Sequence, residues 1–186
     1  MGGSAVDDGG KKRIIAVCGV KNSGKTTLLV RMIEKFSAEG VRAAVIKHDG
    51  HDFSCDIPGT DSFRLKEAGA YGTAVFSASR TFVHRTEFQT ESRAQKEARV
   101  KELAALFPDA EIIFVEGMKD SPYPKIEVIR DAISREPASN PEGRFLIVTD
   151  RNKDDYGEET ASFDEIEKIV RIVRETAGIS QKGEDR

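Results

Sequence analysis

Apolar residues along this chain fall into short unbroken runs, separated by stretches in which they recur every three or four positions. The first run, IIAVCGV (14–20), is β-branched and uninterrupted, and it predicts a buried strand. After KNSGK, the residues Leu28, Leu29, Met32, Ile33 and Phe36 keep helical spacing, and Gly40 suits the position just past a helix end. VRAAVIK (41–47) predicts a second strand, which completes a β-α-β unit and implies a parallel pair with a right-handed connection. A polar loop follows, then a short helix in DSFRLKEAGA with Asp61 as its N-cap. TAVFSAS (73–79) and RTFVHRT (80–86) abut with almost nothing between them and predict a hairpin. Residues 91–107 carry alanine, valine and leucine on one helical face. EIIFVEG (111–117), KIEVIRD (125–131) and GRFLIVTD (143–150) predict three more strands. SFDEIEKIVRIVRETAG predicts a closing helix with a capping box formed by Ser162 and Glu165.

Alternation of strands and helices without an internal repeat gives an α/β fold, a mostly parallel sheet flanked by helices with the hairpin as an extension. One domain is expected over residues 13–177, between a Gly-, Asp- and Lys-rich segment (1–12) expected to be disordered and a flexible tail (178–186). The 186 residues suffice for a real core, and 38% hydrophobic content suits a globular protein. A net charge of −3 gives no general attraction for nucleic acid or an anionic membrane, so neither is expected as a partner. Two cysteines, Cys18 and Cys55, make no disulfide framework. The start of the chain lacks the apolar core of a signal peptide and no run reaches transmembrane length, which points to the cytoplasm. Cys18 reads as a small buried residue of the first strand.

One motif changes the picture. Gly19-Val20-Lys21-Asn22-Ser23-Gly24-Lys25-Thr26 matches G-x-x-x-x-G-K-[ST] without a mismatch, between a strand and a helix as the motif requires. The glycines let the backbone wrap a phosphate, so that successive N–H groups and the helix N-terminus face its charge. Lys25 supplies a cation to the β- and γ-phosphates, and the Thr26 hydroxyl can ligate Mg²⁺. The fold is therefore expected to be P-loop NTPase-like. Its nucleotide-binding residues are Gly19, Lys21, Asn22, Ser23, Gly24, Lys25, Thr26 and Thr27, with Thr149 and Asp150 at a later strand end as neighbours of the base. Lys21 is either an added charge near the γ-phosphate or a solvated lysine. Glu116 closes the apolar run IIFVE, the place of a carboxylate that holds Mg²⁺ directly or through water. Lys25 and Glu116 are the catalytic candidates, and Thr26 and Glu116 the Mg²⁺ candidates.

The chain resembles the molybdopterin-guanine dinucleotide biosynthesis adaptor family, MobB. The resemblance runs over about residues 14–175 and rests on several segments in order. These are GKTTLL in the P-loop, IKHDGHD after the second strand, Asp56-Pro58-Gly59-Asp61-Ser62, RLKEAGA, VEGMK (115–119) and PKIEVIRD. It implies a small P-loop GTPase-like protein that binds GTP, hydrolyses it slowly and forms a homodimer. It also implies a partner, MobA, the enzyme that joins GMP to molybdopterin, and extends to molybdopterin itself or molybdoenzyme-associated proteins. Asn152-Lys153-Asp154-Asp155 fits the N-K-x-D pattern by which many GTPases read guanine, but lies several residues beyond its strand.

KHDGHDFSCD (47–56) follows the second strand, on the sheet edge where open α/β folds bind ligands. It reads best as a pocket wall in which His48, His51, Asp52 and Asp56 join Asp61 and Lys119. His48, His51 and Cys55 as transition-metal ligands give a second reading, a metallochaperone GTPase. A P-loop kinase for a small molecule, with Asp52 or Asp56 as base, is a third. Lys119 and Lys125 flank SPYP and are either anion contacts or an exposed basic loop. No arginine finger is evident, although Arg64, Arg80 and Arg85 are available to a partner subunit.

Overall fold

Ile14 to Cys18 are all buried, and their alternation supplies both faces of one sheet. Ile15 and Val17 join one apolar cluster, whereas Ile14, Ala16 and Cys18 join another. A strand buried on both sides must read as a continuous apolar run, which is why the sequence shows no period of two here. The computed structural model describes residues 13–49, 53–86 and 92–180. In chain order the elements are β1 (Ile14–Cys18), α1 (Lys25–Ala38), β2 (Ala43–Lys47), α2 (Asp61–Glu67), β3 (Gly72–Phe76), β4 (Thr81–Arg85), α3 (Arg93–Ala104), β5 (Ile112–Glu116), β6 (Lys125–Ile129), β7 (Arg144–Thr149), β8 (Thr160–Ala161) and α4 (Ile166–Ala177). They fall into two units: one takes in residues up to His48 and from Ser92 onward, and the other lies between.

The first unit is a six-stranded sheet in the order β2-β5-β1-β6-β7-β8, parallel at every pairing. The expected pairing of the first two strands is corrected here: β5 lies between β1 and β2 and pairs with both. Chain proximity gave the direction of the two strands, but the buried run IIFVE takes the central place beside β1 because it is apolar on both faces. One face carries α1 and α4, with Leu28, Met32 and Phe36 packed against Ile169 and Val173. The other carries Val100 and Ala104 of α3 beneath Ile113 and Val115. Complete burial of a side chain such as Phe36 contributes about 1.5–3 kcal/mol. α1 stops at Gly40, where the Gly40 N–H donates to Ser37 O and the Val41 N–H to Phe36 O, the paired bonds of a Schellman end.

α4 departs from its expected start. The helix begins at Ile166, and only the reach-back half of the capping box forms: the Ser162 N–H donates to Glu165 Oε2 at 2.6 Å. Ser162 lies too early to cap, because it follows β8 directly and a turn through Phe163 and Asp164 intervenes. β8, two residues long, is too short to leave a sequence signal.

The second unit holds α2 and the β3–β4 hairpin, with Gly72 opposite Arg85 and Phe76 opposite Thr81. Thr60, not Asp61, caps α2, its hydroxyl accepting from the Phe63 N–H at 3.3 Å. Asp61 becomes the first helical residue, where its charge still favours the helix N-terminus. The unit is poor in buried apolar groups: α2 buries none, and Tyr71, Phe76 and Val83 are exposed. Among the described residues no helix is long and apolar enough to cross a membrane.

Candidate functional site

Between β1 and α1 the chain makes a tight loop whose geometry only glycine satisfies. Gly19 has φ +141°, and a Cβ on it would stand 2.4 Å from the Val128 carbonyl oxygen and 2.7 Å from Ser23 Oγ. The loop is therefore laid directly on β6. Gly24 has φ +98° and starts α1, accepting the first helical bond from the Leu28 N–H at 2.9 Å. Among the described residues no side chain caps α1, and its first turn holds no acid. Its leading N–H groups and positive end are thus left for an anion. Asn22 also takes a positive φ, of 64°, which curls the loop further.

Lys25 folds back over this loop, its Nζ donating to Gly19 O (3.1 Å) and Val20 O (2.7 Å). Those carbonyls hold the ammonium beside the concavity the backbone encloses. Lys21, Asn22, Thr26 and Thr27 are exposed, whereas Ser23 is buried with its hydroxyl lacking a partner among the described residues.

The acid expected at the end of β5 is in place. Glu116 is buried and accepts from Thr26 Oγ1 at 2.9 Å, so a hydroxyl and a carboxylate 90 residues apart in sequence meet directly. Lys47 at the end of β2 brings its Nζ to 3.7 Å from Glu116 Oε1, a pairing that sequence reading missed. It follows from the register Lys47↔Glu116, which needs β2 beside β5. Hard oxygen donors from a threonine and a glutamate fit Mg²⁺, which binds through few protein ligands and keeps several waters. The His48 N–H donates to Glu116 O at 2.9 Å, which fixes His48 beside the same strand end.

Thr149 is buried, and its hydroxyl accepts from the Arg151 N–H. Asp150 Oδ1 accepts from the Asp131 N–H at 2.8 Å, and Arg130 Nη1 stands 3.4 Å from Oδ2. Partial desolvation acts to raise its carboxyl, but these hydrogen bonds outweigh that and hold it below the usual carboxylate range. Asn152 and Asp155 bracket a short 3-10 turn, with Asn152 Oδ1 accepting from the Asp154 N–H and Asp155 pairing with Arg151 at 2.8 Å.

Asp56 belongs to the second unit and folds its own turn, with Oδ1 accepting from the Ile57 N–H and the Ser62 hydroxyl. Asp61 pairs loosely with Arg64 at 3.7 Å on α2. His51 and Asp52 fall outside the described residues. Among the described residues no group of three His, Cys, Asp or Glu side chains is gathered as metal ligands. Lys119 is exposed, its carbonyl accepting from the Asn140 N–H.

Lys125 corrects both readings offered for it. It is fully buried, and its Nζ donates to Ser121 O (2.6 Å), Glu142 O (2.6 Å) and Asn140 Oδ1. Burial pushes its pKa down. The loops on either side of β6 converge on this ammonium, so it ties them together and is closed to ligands. Cys18 is buried as expected, its thiol directed to Gly117 O, and burial with the nearby Glu127 carboxylate pushes it up to about 12.

The family model for "Molybdopterin guanine dinucleotide synthesis protein B" (MobB) matches residues 14–150. The molybdopterin-guanine dinucleotide biosynthesis adapter protein of Escherichia coli K12 is 35% identical over 137 residues, 73% of this chain and 75% of that protein. A probable adapter protein of Bacillus subtilis is 37% identical over 120 residues, 63% of this chain and 65% of its own. The crystal structure of Bacillus subtilis MobB superposes with a TM-score of 0.68 at 27% identity, covering 92% of this chain and 99% of that one.

Proposed function

The chain belongs to the MobB family of molybdopterin guanine dinucleotide biosynthesis adapters, and from that premise we propose that it is a GTP-binding adapter with slow hydrolysis that serves the guanylyltransferase MobA. The observation that carries the nucleotide reading is the Thr26–Glu116 hydrogen bond, set across the mouth of a complete phosphate-binding loop. On this reading the backbone N–H groups from Gly19 to Thr27 cradle the phosphates and Lys25 shifts from its two loop carbonyls to the β- and γ-phosphate oxygens. Thr26 and Glu116 would hold Mg²⁺, which would supply positive charge to offset that of the phosphates. Asp150 stands exposed at the end of β7 for the base, with Thr149 buried beneath it and turned to the Arg151 N–H, and a carboxylate held below the usual range suits the N–H and amino groups of guanine.

Hydrolysis is slow on this reading because Glu116, which faces Thr26 and Lys47 and would serve Mg²⁺, does not act as a general base. The exposed apolar side chains of the second unit, Phe76 and Val83 among them, support association with a second copy of this chain. Calorimetric titration with GTP and ATP, with and without Mg²⁺, tests the proposal on the wild type and on Lys25→Ala. Mg²⁺-dependent GTP binding that Lys25→Ala abolishes is the expected result. A wild-type protein that binds neither nucleotide removes the proposal, and a preference for ATP removes its guanine part.

A further inference from the structure

Arg130, the first residue beyond β6, has no role in the reading above. Ile129 pairs with Thr149, so Arg130 and Asp150 leave neighbouring strand ends side by side. The guanidinium carbon lies 3.6 Å from the centroid of the Phe163 ring, in the turn before α4. Phe163 is itself tied to α1, because its carbonyl accepts from Arg31. A Cβ built on Gly24 would stand 3.5 Å from Arg130 Nε and 3.6 Å from Nη2. The guanidinium is thus laid on an aromatic ring, held at Nη1 by a carboxylate, and set with its other two nitrogens against the residue that opens α1. Two kinds of contact, cation–π and ionic, fix an orientation that an exposed arginine would lose to side-chain entropy.

β1 lies between β5 and β6, so Glu116 and Arg130 mark opposite flanks of the phosphate-binding loop. On the nucleotide reading the Thr26–Glu116 flank serves the β- and γ-phosphates, which leaves Arg130 to the end of the ligand nearer the nucleoside. We propose that Arg130 binds the nucleoside-proximal phosphate of the nucleotide, with Phe163 and Asp150 as positioning residues. The inference rests on the nucleotide reading above, and it names a contact that reading does not contain.

Calorimetric titration of GDP and GTP in Mg²⁺ against wild type, Arg130→Gln and Arg130→Lys tests it, with urea unfolding of each protein alongside. Arg130→Gln is expected to weaken GDP and GTP by a common factor of about 10–100, since a charge-assisted contact is lost and the terminal phosphate is not involved. Arg130→Lys keeps the charge but not the fork, and is expected to weaken both by about threefold or more. Unchanged affinity for both nucleotides in a folded Arg130→Gln protein overturns the inference alone, as does a loss confined to GTP. Should the glutamine variant unfold, Arg130→Lys decides by itself, and wild-type affinity for both nucleotides is then the refuting result. A wild type that binds neither nucleotide overturns the underlying reading and this inference together.

Discussion

Replacing Lys125 by methionine keeps the apolar stem and removes the ammonium that three oxygens surround. The Ser121 and Glu142 carbonyls and Asn140 Oδ1 each accept from it, and the side chain is wholly buried. Hydrogen bonds from a charged donor are worth about 1.5–3 kcal/mol each, so losing three removes roughly 4–9 kcal/mol before compensation. Methionine regains about 1–3 kcal/mol through apolar burial and release from holding a charge in a dry site. The net expectation is a loss of about 3–6 kcal/mol, which at a slope near 2 kcal/mol/M lowers the urea midpoint by roughly 1.5–3 M. Equilibrium unfolding followed by far-UV circular dichroism measures it. Asn140→Ala should cost less, and the double variant should lose less than the sum, because both changes break the same contact. A midpoint within about 0.5 M of wild type for Lys125→Met would refute the bolt-like role of this residue.

Gly19→Ala places a methyl group 2.4 Å from Val128 O at φ +141°, so the loop must lift from β6. Strain of about 1–3 kcal/mol is expected, seen as a lower urea midpoint and as GTP affinity reduced about tenfold or more in calorimetry. Glu116→Gln removes the charge facing Thr26, and its GTP affinity in Mg²⁺ is expected to approach the value in EDTA; an unaltered response to Mg²⁺ would count against Glu116 as a ligand. Cys18 gives a pH test: its thiol is raised from 9.0 to about 12, so between those values the folded state keeps a proton that the unfolded state releases. Its contribution to stability is therefore whole below pH 9 and declines through pH 12 by up to about 4 kcal/mol. Wild type should lose roughly 2 kcal/mol more than Cys18→Ala between pH 8 and pH 10.5 in urea titrations, and equal slopes would remove the effect.

What could be read in the sequence was what consecutive residues specify. The phosphate-binding loop needs glycines, lysine and threonine at fixed offsets within eight residues, and its flanks announce a strand and a helix. Glu116 was legible because a single acid ending an apolar run must emerge at a strand end. Features that depend on strand order were not legible. The Lys47–Glu116 pair exists only because β5 inserts between β1 and β2. Arg130, Asp150 and Phe163 meet only because β6, β7 and β8 are successive neighbours, and Arg130 follows a strand that already carries Lys125 and Glu127, so it lacks the lone-charge signal of Glu116. Lys125 misled because a lysine at the start of a strand reads as rim. Its burial comes from two loops whose backbone carbonyls have no side-chain signature.

The insertion of β5 between β1 and β2 also sets a timetable. A ribosome delivers β1, α1 and β2 well before either neighbour of β1 exists, since β5 begins at Ile112 and β6 at Lys125. Until then β1 has no partner on either side, and the loop after it lacks the Val128 carbonyl on which it rests. The nascent amino-terminal third thus carries the whole phosphate-binding motif without the means to shape it. Closing such distant pairings is slow and leaves apolar strand edges open while it lasts. On the proposed nucleotide-binding role, capture by a stalled nascent chain should begin only after residues near 130 have cleared the exit tunnel, which a ladder of stalled lengths would reveal.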